Sequence, residues 1–64
     1  MINLSRLNGE KLMINIDLIE LVEETPDTII TLTTGRKILV RESSRHIQEE
    51  IVKIRRKYYS DLKK

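Results

Sequence analysis

The spacing of the apolar residues changes near residue 43, and this change constrains the fold more than any other feature of the chain. Before it, apolar and polar side chains alternate in short runs, which is the two-residue period of β-strands. After it, the apolar residues recur every three or four positions, which is the period of one helical stripe. The stripe consists of Ile47, Ile51, Ile54, Tyr58 and Leu62. We therefore predict an α+β, mainly β fold, with a β-sheet region over residues 1–42 and an amphipathic C-terminal helix over residues 43–64.

Turn-forming residues divide residues 1–42 into five predicted strands. Asn8-Gly9 predicts a hairpin with a type I′ turn, in which both residues take a positive φ, and Thr34-Gly35 predicts a second hairpin. Thr25-Pro26-Asp27 predicts a tight turn, and Asp17-Leu18 predicts a bend or a short helical turn. The predicted strands are residues 2–7, Glu10–Ile16, Ile19–Glu23, Thr28–Thr33 and Arg36–Arg41. They should form a small five-stranded antiparallel sheet or a partly open barrel.

The chain is short enough to form one small domain, residues 1–64, and it has no covalent means of stabilising itself. A domain of this size buries only about 60% of the surface that its unfolded chain exposes. Such domains usually gain stability from a disulfide, a metal or a partner subunit. With no cysteine and a single histidine, disulfides are excluded and a structural zinc site is close to excluded. A partner subunit is the remaining source of stability.

Several predicted strands carry apolar residues on both faces. Met13, for example, points away from the face that holds Leu12 and Ile14. An antiparallel sheet with one face in water alternates apolar and polar residues, so two apolar faces imply that both are covered. One helix covers part of one face, and we expect a second copy of the chain to cover the rest. The expected contacts of this homo-oligomer are Met13, Ile29, Leu39, Ile47, Ile51, Ile54 and Tyr58.

The sequence contains no arrangement of residues typical of an active site, and we expect no enzymatic activity, no cofactor and no metal. It has no glycine-rich phosphate loop and no metal-binding helix motif. Ser43 and Ser44 lie close to His46, but at a predicted helix start, where serine is expected as a cap. The carboxylates of segment Glu23–Asp27 suit a solvated loop, because the chain is too small for the deep cleft that paired catalytic carboxylates need.

The net charge of +2 conceals an uneven distribution. Residues 53–64 hold six basic residues and one acidic residue, a net charge of +5, whereas residues 1–52 hold six basic and nine acidic residues, a net charge of −3. The basic segment Lys53–Lys57 either binds phosphates of RNA, acidic lipid headgroups or an acidic protein surface, or is a solvated face that complements the helix dipole. The candidate interaction surface consists of Arg6, Arg41, Lys53, Arg55, Arg56, Lys57 and Tyr59.

No stretch of the sequence is apolar enough to cross a bilayer. The longest apolar runs, such as Leu12-Met13-Ile14, are three residues long, whereas a membrane helix needs about 20. The first residues also lack the basic and apolar segments of a secretory signal. We therefore expect a cytoplasmic protein.

Five blocks of sequence carry a resemblance to a known family. They are Asn8-Gly9, Asn15-x-Asp17-Leu18-Ile19-Glu20, Glu24-Thr25-Pro26-Asp27-Thr28, Ile30-Thr31-Leu32-Thr33-x-Gly35 and Val40-x-Glu42-Ser43. In this order they closely resemble the FlbD (SwrD) family of small flagellar-operon proteins, over residues 1–57. The resemblance implies a role in swarming motility, as a cytoplasmic factor that supports flagellar motor power through the stator units. It carries over no catalytic or ligand residues.

A second resemblance concerns the first hairpin. The pattern Leu4-x-Arg6-x-x-Gly9-Glu10-x-Leu12-Met13-Ile14 is similar to the opening of CsrA-type RNA-binding translational regulators, which have five strands, a C-terminal helix and a dimer that shares its strands. It implies RNA binding through Leu4, Arg6 and a basic residue of the fifth strand, here nearest Arg41. The next basic position of that family is Leu7 in this chain, and the middle of the chain departs from its pattern. The resemblance therefore supports the architecture more than the activity.

These observations lead to one functional hypothesis and one alternative. We expect a non-enzymatic flagellar accessory protein that supports swarming motility and motor power by protein–protein interaction, with a component of the flagellar motor or stator as its partner. The alternative is a CsrA-like post-transcriptional regulator that binds RNA through Arg6, Arg41 and the basic helix. Its affinity should fall steeply with salt, because phosphate contacts would dominate it.

Overall fold

The computed structural model describes the backbone of residues 1–62 and the side chains of residues 1–57. It shows five β-strands followed by one α-helix, which confirms the predicted fold class and order of elements. In chain order the elements are β1 (Ile2–Ser5), β2 (Lys11–Ile14), a 3₁₀ turn (Ile16–Leu18), β3 (Ile19–Glu24), β4 (Thr28–Leu32), β5 (Lys37–Val40) and α1 (Ser44–Leu62). Four of the five strands are shorter than predicted, because the hairpin loops and the 3₁₀ turn take residues from their ends.

The strands form two antiparallel sheets rather than one sheet or a closed barrel. One sheet holds β1 and β2, and the other holds β3, β4 and β5 in that order. A single bridge between Arg6 and Val40 connects β1 to β5, and beside it the N–H of Arg41 donates to the carbonyl of Ser5 (2.8 Å). The chain therefore turns a corner between two small sheets, with β2 and β3 as the outermost strands.

Both hairpins close with a three-residue loop in which only the glycine has a positive φ. In the first, the N–H of Gly9 donates to the carbonyl of Arg6 (2.9 Å), and the N–H of Arg6 donates to the carbonyl of Glu10 (2.8 Å). Gly9 has a φ of 94°, and no non-glycine residue in the described part of the chain has a positive φ. The predicted type I′ turn is therefore wrong, because that turn needs a positive φ at Asn8 as well. Gly35, with a φ of 92°, closes the second hairpin in the same way.

The core lies between the inner faces of the two sheets and the first half of α1. Its buried apolar residues are Ile2, Leu4, Ile14, Ile16, Ile30, Ile38, Val40 and Ile47. Ile30, on the central strand of the larger sheet, and Ile47, on the helix, are both 0% exposed. Each aliphatic side chain of this size contributes about 1.5–3 kcal/mol by leaving water. The helix is therefore part of the core rather than an appendage to it.

Helix α1 begins where the sequence predicts a polar cap. The hydroxyl of Ser43 accepts a hydrogen bond from the N–H of His46 (3.1 Å), and its carbonyl accepts one from the N–H of Ile47 (3.1 Å). Ser43 is therefore the N-cap. The carboxylate of Glu24, at the end of β3, accepts a further bond from the N–H of Ser44 (2.8 Å). This bond ties the start of the helix to the end of β3.

Candidate interaction surfaces

The three-stranded sheet has an outer face that points away from the core. The strand register places Leu21, Thr31 and Lys37 in one row and Glu23, Ile29 and Leu39 in the next. We call these six residues the outer face. Leu21 is 41% exposed, Leu39 is 40% exposed and Ile29 is half-buried. Three apolar side chains on neighbouring strands therefore meet the solvent.

Thr31 lies in the middle strand of the outer face with a hydroxyl that has no partner. The side chain is buried, and its Oγ1 makes no hydrogen bond with any residue that the structure describes. An unpaired buried hydroxyl costs about 1–3 kcal/mol. The outer face is therefore not arranged for the greatest stability of the single chain.

Each of the two sheets exposes residues that are predicted to contact a second copy. Leu39 belongs to the outer face, together with the half-buried Ile29. Met13, on the edge strand β2, is 68% exposed and pairs with the exposed Asn3. Each sheet thus presents apolar surface to solvent, as expected of strands that are apolar on both faces.

Among the described side chains, the helical stripe is fully buried at Ile47 and half-buried further along. Ile47 is fully buried within the single chain, so its side chain is not available to a second copy. Ile51 and Ile54 are half-buried against the core. The side chains of Tyr58 and Tyr59 lie outside the described residues. Of the predicted helical contacts whose side chains the structure describes, Ile51 and Ile54 keep some exposed surface.

Arg6 and Arg41 lie on opposite faces of the strands. The sequence predicts that both belong to one interaction surface. Arg6 pairs with Val40, and Arg41 is bonded to Ser5; because side chains alternate along a strand, these neighbouring positions point to opposite sides. Arg6 borders an open cleft of about 310 Å³. Arg41 instead donates from Nε to the carbonyl of Leu7 in the first hairpin loop (3.0 Å). A single chain therefore does not bring the two cations together.

The basic segment of α1 is exposed. Lys53 forms an ion pair with Glu50 (3.4 Å), a surface pair of the kind that contributes about 0–1 kcal/mol. Arg55, Arg56 and Lys57 are exposed, and none of them forms an ion pair with a side chain in the described part of the chain. Within residues 1–57 these three cations therefore have no neutralising carboxylate.

Two carboxylates join the sheets to the helix region, and sequence reasoning did not find either role. Glu42 accepts from the N–H of Ser5 (2.8 Å), and Glu24, expected in a solvated loop, instead ends β3 and caps the helix at Ser44. Hydrogen bonds from Ser44, first from its backbone, lower the pKa of Glu24. Desolvation raises the pKa of Glu42, but hydrogen bonds, above all that from the Ser5 backbone, outweigh it and leave the pKa lowered. No local pattern reveals these bonds, because the partners lie 20 and 37 positions apart.

The residues considered for catalysis or metal binding have structural places in the fold. Ser43 caps α1 by accepting from the N–H of His46, which lies in the first turn of the helix. Among the residues that the structure describes, no three histidine, cysteine or carboxylate side chains lie close enough to hold a metal ion. No helix in that same part of the chain combines the length and the apolar character needed to pass through a bilayer.

Comparison with known proteins relates this fold to a family. The model of the FlbD family, described as flagellar and swarming motility proteins, matches residues 1–59. No curated protein and no solved structure matches the chain. The family match includes all five strands and most of α1, and with them the outer face and the basic segment. The chain therefore belongs to the FlbD family of flagellar and swarming motility proteins.

Proposed function

We propose that this protein is a cytoplasmic, non-enzymatic accessory factor of the flagellum, which supports swarming motility and motor power by protein–protein interaction. The observation that carries the proposal is the family match over residues 1–59. The exposed apolar residues of the outer face support an interaction role, because solvent-exposed apolar patches mark sites of protein–protein contact. The partner that we propose is a component of the flagellar motor, such as a stator unit.

The outer face is suited to act as the apolar centre of an interface. Its apolar residues are accompanied by one carboxylate, Glu23, and one ammonium group, Lys37, as in interfaces with an apolar core and a polar rim. Covering the exposed part of Leu21 or Leu39 contributes about 1 kcal/mol each, since full burial of leucine contributes about 1.5–3 kcal/mol. A millimolar complex already needs about 4 kcal/mol, so the partner must also contact surface beyond this face.

We also propose that the chain, as a single domain, forms a homo-oligomer. The support is the exposed apolar surface on both sheets, at Met13 and at Leu39, together with the small core of a short chain. Mass action then requires the melting temperature to rise with protein concentration. Light scattering coupled to size exclusion should give more than one copy per particle. A melting temperature independent of concentration, with the mass of one chain, would contradict self-association.

Deletion of the gene in a swarming host tests the motility role. We expect slower swarm expansion and lower torque from single motors of tethered cells, with the number of flagella per cell unchanged, because the proposed role concerns motor power rather than assembly. Expression of the wild-type protein from another locus should restore both. Unchanged swarming and unchanged torque in the deletion strain would overturn the proposal.

RNA binding is a second candidate function, supported by the three cations Arg55, Arg56 and Lys57, which no described carboxylate neutralises. The positions of Arg6 and Arg41 on opposite faces give it no further support within one chain. Gel shifts with total cellular RNA at low and high salt test it. Binding that weakens steeply as salt rises is the expected signature of phosphate contacts, and no binding at low salt would exclude this candidate.

A further inference from the structure

A groove lies beside the outer edge of β3. This strand is the edge of the three-stranded sheet, so alternate residues direct their N–H and C=O groups away from β4. The groove has a volume of about 470 Å³ and is open to solvent. Its walls are residues Ile19, Glu20, Leu21 and Val22 of β3 and residues Ser44, Ile47, Gln48, Ile51 and Val52 of α1. We call it the β3 groove.

The β3 groove offers both backbone hydrogen-bonding groups and apolar surface. α1 starts at the end of β3, where Ser44 is bonded to Glu24, and its next turns form the second wall through Val52. Leu21 on the strand is 41% exposed, and Val52 on the helix is 40% exposed. The β3–β4 register shifts between Ile19 and Leu21, so the regular edge begins at Leu21. An extended segment that pairs with residues 21–24 would place alternate side chains against the helix.

The charges beside this edge determine which segment fits. Glu20 lines the groove, and Glu23 follows it along the same strand. Both are exposed, and neither forms an ion pair with a side chain in the described part of the chain. A second copy of β3 is a poor occupant, because pairing would bring the carboxylates of two copies together, and like charges on neighbouring strands are destabilising. Two strands of this chain carry a lysine and no carboxylate: β5 already pairs with β4, and β2 has its single lysine, Lys11, at its first residue, so it would bring only one cation to the edge.

We propose that the β3 groove binds an extended cationic segment of a partner protein, which adds a strand to the sheet. The segment alternates apolar residues, which face α1 and contact Val22 and Val52, with lysine or arginine residues on the opposite side, which approach Glu23. Glu20, which lines the groove beside the register shift, adds a second negative charge at the same edge. This inference rests on the proposed function, because it assigns a contact surface and a partner chemistry to the proposed interaction. It differs from the outer-face contact in using the backbone edge of one strand.

Titration of the full chain with two short peptides tests the inference. One peptide alternates lysine with valine, and the other alternates glutamate with valine, so that only the sign of the charge differs. We expect the lysine peptide to shift the amide resonances of residues 21–24 and to slow the hydrogen exchange of those whose N–H groups point away from β4. We expect the glutamate peptide to bind roughly tenfold more weakly, because like charges across an interface oppose association.

Charge-reversal variants show whether the binding depends on this edge. In Glu20→Lys/Glu23→Lys, the preference should reverse in favour of the glutamate peptide. The matched control is Glu10→Lys/Glu49→Lys, which changes the net charge equally at exposed carboxylates that do not line the groove, and which should keep the preference for the lysine peptide. If the reversed variant does not fold, Glu20→Gln/Glu23→Gln should bind both peptides with similar affinity.

Several results would overturn the inference. The lysine peptide could leave the resonances and exchange rates of the β3 amides unchanged. The two peptides could bind the wild-type chain equally, or the groove variants could keep the preference for the lysine peptide. If the β3 amides exchange more slowly as the protein concentration rises, with no peptide present, a second copy occupies the edge. Each of these results leaves the motility role untouched, whereas unchanged swarming after gene deletion overturns the proposed function even if the peptides bind as expected.

Discussion

Thr31 places a buried hydroxyl where the described residues offer it no hydrogen-bond partner. Replacing the hydroxyl by a methyl group of the same shape removes the cost of desolvating it. We expect Thr31→Val to raise the free energy of unfolding by about 1 kcal/mol, measured by urea denaturation at neutral pH. Thr33→Val, at an exposed position next to β4, is the matched control and should change stability little. A less stable Thr31→Val variant would show that the hydroxyl is bonded in solution.

The carboxylate of Glu42 makes stability depend on pH in a predictable direction. Its pKa in the folded chain is lowered from an ordinary value of 4.5, so its charged form stabilises the fold above that value. This contribution is lost as the pH falls through the folded pKa. We expect Glu42→Gln to be less stable than the wild type at pH 7, and the difference to narrow as the pH falls below about 4.5. Glutamine keeps an oxygen that can accept from Ser5, so the variant isolates the charge.

Urea denaturation of both proteins at several pH values measures this difference. Glu10→Gln serves as the control, because Glu10 is exposed directly after the first hairpin loop and its side chain bonds only Asn8 among the described residues. Its effect should be small across the same range. A stability difference between wild type and Glu42→Gln that stays constant with pH would contradict the role of the charge.

The helix is joined to the sheets chiefly through its first two turns. Ile47 is 0% exposed, whereas Ile51 is half-buried one turn later. We expect Ile47→Ala to cost about 2–5 kcal/mol, a large part of the stability of a small domain, and Ile51→Ala to cost clearly less. Urea denaturation gives both free energies, and circular dichroism shows whether helix content falls with them. A greater loss in Ile51→Ala would mean that the second half of the stripe, rather than the first, anchors α1.

The elements themselves were largely predictable from local sequence, and the exceptions have local causes. The spacing of Ile47, Ile51 and Ile54 predicts a helix, and a serine cap at Ser43 is what helix N-termini require. The turn at Asn8-Gly9 was predicted in the right place with the wrong geometry. Asn-Gly suits both a two-residue type I′ loop and a longer loop that ends on a left-handed glycine. The dipeptide alone does not distinguish the two, since that choice depends on how the flanking strands pair.

Contacts across the whole molecule were not predictable in the same way. The bonds from Ser5 to Glu42 and from Ser44 to Glu24 join residues that are remote in sequence. They exist only because the two sheets meet at the bridge between Arg6 and Val40 and α1 lies beside β3. The same corner divides the five strands, predicted as one sheet or a partly open barrel, into two sheets. Side-chain alternation beside the bridge places Arg6 and Arg41 on opposite faces. Apolar residues on both faces of the strands, by contrast, are visible in the sequence, and they correctly indicated that the sheets keep exposed apolar surface.

At the scale of the whole molecule, we connect this exposed surface to motility. The chain belongs to a family of flagellar and swarming motility proteins, and its outer face leaves Leu21 and Leu39 partly in water. Threonine at these positions removes the apolar contact but keeps a high β-propensity. The double variant Leu21→Thr/Leu39→Thr should therefore fold and fail to bind, and Asn3→Thr, at an exposed position of the other sheet, provides the matched control.

The most direct test is the swarm expansion rate of a deletion strain that produces Leu21→Thr/Leu39→Thr at the level of the wild-type protein. We expect this strain to swarm as slowly as the deletion strain, and a strain with Asn3→Thr to swarm at the wild-type rate. Circular dichroism of the purified double variant confirms that it is folded. Wild-type swarming by the strain that carries the folded double variant would contradict a role of the outer face in motility.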